Sequence, residues 1–81
     1  MTKVAIESGL RPFQEALKNA GFVVVEVKQP EDLTRERPPA VVVSGMDSNF
    51  LGMSGFSDTP VVTASGRTPE EVVKDVRRSL G

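Results

Sequence analysis

The 81-residue chain contains no histidine, cysteine, tryptophan or tyrosine. Without His or Cys there is no Ser-His-Asp or Cys-His nucleophile system, no imidazole or thiolate zinc site and no cysteine phosphocarrier. Any acid–base work falls to Asp, Glu or Lys. The absence of cysteine also excludes disulfides, in keeping with a reducing compartment. Four phenylalanines are the whole aromatic complement, too few for a base-stacking platform. Ten basic residues balance 11 acidic ones. The clustered positive charge that nucleic acids require is therefore missing. Arg77-Arg78 is the only basic doublet, and it suits the end of a helix, where cations meet the negative pole of the dipole. No apolar run approaches the ~20 residues that span a bilayer. The first residues, Met1-Thr2-Lys3-Val4-Ala5-Ile6-Glu7, turn polar at once and do not read as a signal peptide, so the cytoplasm is the expected compartment.

What is abundant is valine in short runs that end in Ser-Gly. Val4-Ala5-Ile6 leads to Ser8-Gly9, Val41-Val42-Val43 to Ser44-Gly45, and Val61-Val62-Thr63-Ala64 to Ser65-Gly66. A fourth β-branched run, Phe22 to Val27, has no such ending. Between the first two runs, Arg11-Pro12 opens a helix, with proline where its missing N–H costs nothing. Phe13, Ala16, Leu17 and Ala20 make one apolar stripe, and Gly21 supplies the stop. Pro30 with Glu31 and Asp32 opens a short second helix. Thr68-Pro69-Glu70-Glu71 reads as a capping box at the start of a last helix, whose stripe is Val72, Val73, Val76 and Leu80.

The order β-α-β-(α)-β-loop-β-α, with right-handed crossovers, predicts a single α/β domain over residues 1–81. It is a small three-layer sandwich around a four-stranded, mostly parallel sheet of order 2-1-3-4 with helices on both faces. The first and last helices cover one face. The short helix and the long loop cover the other. Ligands of open α/β sheets bind at the carboxyl edge, where strand order reverses. That switch point lies between strands 1 and 3, flanked by Ser8-Gly9 and Ser44-Gly45. The expected ligand site therefore comprises Ser8, Gly9, Ser44, Gly45, Asp47, Ser48, Asn49, Ser65, Gly66 and Arg67.

Within the loop, Ser44, Asp47, Ser48 and Asn49 gather hydroxyl, carboxylate and amide groups in six residues. The alternative is that Asp47 and Asn49 satisfy their own backbone or cap a short helix. Phe50, Leu51, Met53 and Phe56 either cover the second sheet face or form an interface with a second copy or a protein partner. Arg67 and Arg11 stand beside helix starts, where anions are attracted; the plainer reading is two solvated arginines. Neither turn carries a dinucleotide or P-loop fingerprint. Glu7 and Asp47 imitate the acidic pocket of a phospho-receiver poorly, and Asp47, Asn49 and Asp58 have no calcium-loop spacing. No metal or cofactor is expected.

The segment Val42-Val43-Ser44-Gly45-Met46-Asp47-Ser48-Asn49-Phe50-Leu51-Gly52 resembles the central motif of the small YkuS-like proteins of spore-forming bacteria, a hydrophobic strand running into [ST]-G-x-D-x-N-x-x-G. The opening strand, Gly21-Phe22-Val23-Val24 and Thr68-Pro69-Glu70-Glu71 match in position, so the likeness covers nearly the whole chain. It implies a small cytoplasmic bacterial α/β protein and brings no catalytic residues with it. The fold implied is also similar to the flavodoxin and sugar-phosphotransferase IIB type, a half-Rossmann arrangement. IIB proteins commonly place a Cys nucleophile in the first loop, where this chain has Ser8-Gly9-Leu10, so that activity is not expected.

The leading expectation is a non-enzymatic binding or regulatory module holding a small anionic ligand at the carboxyl edge. The alternatives are a protein-interaction subunit, homodimeric or hetero-oligomeric, that uses the 50–56 loop, and a small phosphotransfer or hydrolytic enzyme that uses Asp47. No nucleic acid or membrane partner is expected.

Overall fold

The computed structural model describes residues 2–45 and 59–80. Strands β1 (Lys3–Glu7), β2 (Val23–Val27), β3 (Val41–Val43) and β4 (Val61–Thr63) form one sheet in the order β2-β1-β3-β4. All three pairings are parallel, with Ala5 beside both Val25 and Val41, and Val42 beside Val62. Parallel strands lie between covering layers and read as continuous apolar runs, and β3 is buried along its whole length. The order and the α/β architecture are those expected from the sequence.

Helix α1 (Arg11–Asn19) carries Pro12 in its first turn and buries Leu17. It ends in a Schellman pattern: Phe22 N–H donates to the Leu17 carbonyl at 3.1 Å and Gly21 N–H to the Lys18 carbonyl at 3.0 Å. This turns the chain directly into β2. The short α2 (Pro30–Glu36) is fixed at its entry by Asp32. The Asp32 carboxylate accepts from the backbone N–H groups of Lys28 and Gln29 at 3.1 and 3.2 Å. Those bonds hold its carboxyl below the ordinary value.

Helix α3 (Pro69–Ser79) begins with the predicted capping box. Glu71 N–H donates to Thr68 Oγ1 at 3.2 Å, and Thr68 N–H donates to Glu71 Oε1 at 2.9 Å. The Thr68 N–H bond, foremost, holds Glu71 below its ordinary value of 4.5. Thr68→Ala is expected to destabilise the fold by about 1 kcal/mol in urea unfolding. A depressed folded pKa contributes stability above the unfolded value and loses it as pH falls through the folded one. The Glu71 contribution is therefore complete above pH 4.5 and fades below it, and in Thr68→Ala that acid-limb slope is shallower.

Side-chain alternation along the strands separates two cores. Val4, Ile6, Val42, Val62 and Ala64 meet Leu17 of α1 and Val72 and Val76 of α3 on one face. Ala5, Val27, Val41 and Val43 cluster on the other. Lys3, on the same face as Ala5, pairs with Glu36 at 3.0 Å, which sets the end of α2 on that second face, as a right-handed crossover requires. No helix among the described residues is long and apolar enough to cross a membrane.

Candidate functional site

Parallel pairing brings the three Ser-Gly turns to one edge of the sheet. Ser8-Gly9 follows β1, Ser44-Gly45 follows β3, and Ser65-Gly66 lies just beyond β4. The same dipeptide serves two purposes there. Gly9 and Gly66 have φ of +93° and +74°, in the left-handed region that glycine enters without steric cost. Each reverses the chain ahead of a helix. Gly45 instead lies beside the third turn: a Cβ there would stand at an ordinary contact distance, 3.6 Å, from the Cβ of Ser65. The second and third turns are thus in contact range.

The first and second turns are tied by a side chain. Glu7, the last residue of β1, accepts from Ser44 N–H at 3.1 Å. Ser44 Oγ lies 3.1 Å from Glu7 Oε2 and 3.3 Å from Oε1 and donates to the same carboxylate. The half-buried Glu7 side chain therefore ties β1 to the turn that follows β3. Ser8 N–H is already committed to the Val27 carbonyl at 2.9 Å, continuing the β1–β2 ladder.

Arg67, which follows Gly66 directly, has a partner of its own. Its guanidinium forms an ion pair with Asp75, two turns into α3, and its N–H donates to the Ala64 carbonyl at 3.1 Å. Asp75 Oδ2 is buried and meets Arg67 as a charge contact, taking no hydrogen bond among the described residues. Arg78 also approaches Asp75, at 3.7 Å. Arg67 thus belongs to a cation–carboxylate group on the flank of α3.

Of the expected site residues, Ser8, Gly9, Ser44, Gly45, Ser65 and Gly66 come together at the edge. Asp47, Ser48 and Asn49, and the interface candidates Phe50, Leu51, Met53 and Phe56, lie outside the described residues. The sequence reading treated Glu7 only as part of a poor phospho-receiver imitation and passed over Asp75. The signal for Glu7 was available: alternation puts it on the second face, at the end of β1, beside the strand that ends in Ser44. No cluster of three or more metal-ligating side chains occurs among the described residues.

Comparison with known proteins gives a consistent answer over the full length. The model of an uncharacterised protein family, UPF0180, matches residues 2–79. A UPF0180 protein of Bacillus velezensis is 40% identical over 79 residues, covering 96% of this chain and 95% of the relative. The UPF0180 protein YkuS of Bacillus subtilis is 39% identical with the same coverage. A UPF0180 protein of Geobacillus kaustophilus is 35% identical over 81 residues, 99% of each chain. No solved structure matches the chain. The family resemblance seen in the strand-to-loop motif thus extends from end to end, and the chain belongs to the uncharacterised protein family UPF0180.

Proposed function

We propose that this protein is a cytoplasmic, non-catalytic binding module whose ligand sits at the carboxyl edge of the sheet, over the β1/β3 switch point. Glu7, Ser8, Gly9, Ser44, Gly45, Ser65 and Gly66 line that site. The observation that carries the reading is the Glu7–Ser44 tie. It fixes a carboxylate and a hydroxyl at the position where open α/β sheets bind ligands.

Glu7 also bears on the ligand's chemistry. A carboxylate side chain at the edge favours a ligand group that donates hydrogen bonds. Arg67, one of the two arginines the sequence offers as anion clamps on this edge, is paired with Asp75, and the other is Arg11. The class this reading favours is a small amine or polyol, with a small anion held beside Arg11 as the alternative. A thermal-shift series checks this. Amines and polyols raise the melting temperature with concentration, as selective binding to the folded state requires, and phosphate and acetate do not. Gly45→Leu, which places a branched side chain against Ser65, abolishes the rise. Stabilisation by anions alone, or a rise undiminished in Gly45→Leu, contradicts the assignment.

A further inference from the structure

The outer edge of β4 lies away from the site above and has its own cleft. β3 bonds to the Pro60 carbonyl and to Ala64 N–H of the β4 segment. Backbone groups alternate sides along a strand, so Val62 also faces β3, whereas the N–H and C=O groups of Val61 and Thr63 point outward. Among the described residues no strand pairs with that edge. Helix α3 forms the opposite wall, and the cleft between has a volume of about 290 Å³. Its rim is Arg67, Asp75, Arg78 and Ser79, and Val61 and Thr63 line the strand side.

A strand edge facing a helix across a narrow cleft is the geometry in which an extended peptide adds itself to a sheet. Main-chain bonds to the outward Val61 and Thr63 groups would supply affinity, and the cleft selects side chains. Val61 is 39% exposed and offers an apolar contact. The charge at the rim is two guanidiniums against one carboxylate. Asp75 is engaged by Arg67, and the Arg78 side chain is 80% exposed.

We propose that the β4–α3 cleft binds an extended peptide segment of a protein partner as a fifth strand, with an acidic side chain or terminal carboxylate of that segment on Arg78. A second copy of this chain is disfavoured as occupant, since it would set the same arginine-bearing rim against itself.

Selection of a displayed library of random heptapeptides on the intact protein, followed by amide NMR titration with the enriched peptides, tests this. The expected result is enrichment of Asp, Glu or a free carboxylate, with saturable shifts at Val61–Thr63 and Arg78–Ser79. Arg78→Glu, on an exposed side chain, weakens these peptides about tenfold, as does N-methylation of alternate peptide amides, which removes main-chain bonds without altering the protein. No enrichment, shifts that map elsewhere, or affinity indifferent to both changes overturns the proposal. A concentration-dependent dimer whose interface is β4 overturns the choice of occupant.

Discussion

Leu17→Ala is expected to lower the unfolding free energy by about 2–5 kcal/mol, the largest effect of any single truncation considered. Leu17 is the one fully buried residue of α1. It sits in the core cluster with Val4, Ile6, Val72 and Val76, where α1 and α3 meet the sheet. Its carbonyl also accepts the Phe22 N–H that closes the helix, and Phe22 packs on the same cluster. A cavity there opens at the junction of three elements. A small domain holds on the order of 5–10 kcal/mol in all, so the variant would unfold at much lower urea concentration, with little change in slope. A loss below about 1 kcal/mol would mean that the α1 layer does not pack as described.

The second large effect is at Glu7. Glu7→Ala leaves Ser44 N–H and Oγ, both half-buried, without their carboxylate acceptor, a loss of about 1–3 kcal/mol. Glu7→Gln keeps an amide oxygen for the Ser44 N–H and should cost clearly less. The two variants diverge differently in binding. Glu7→Gln preserves the tie but removes the charge, so amines that bind the parent protein should weaken about tenfold, the difference between a charged and a neutral acceptor. Equal stability of Glu7→Ala and the parent in urea unfolding would show that the tie does not hold the switch point together. Unchanged amine affinity in Glu7→Gln would show that its charge does not read the ligand.

Much of this was legible in the sequence, for local reasons. Valine runs, the Thr68–Glu71 box, Gly21 and the proline-marked helix starts are short-range signals, and right-handed connection then leaves few sheet orders. The convergence of the Ser-Gly turns followed from parallel pairing alone. Side-chain partners across the fold were harder to read. Arg67 stands next to a helix start, and proximity in sequence suggested an anion clamp. Its partner, Asp75, lies two turns further on, and only the path of α3 back along β4 brings the two together. Glu7 meets Ser44 across 37 positions, a distance that no local pattern spans. The β4–α3 cleft likewise follows from β4 standing at the end of the sheet order and from the helix beside it.

The most direct test of the carboxyl-edge site is an amide NMR titration of the intact protein with ethanolamine, putrescine, glycerol, inorganic phosphate and acetate. The account predicts saturable shifts with the amines or the polyol, clustered at residues 7–10, 44–45 and 64–66. Shifts with phosphate or acetate centred on Arg67, or a well-folded spectrum unmoved by every compound, would contradict it.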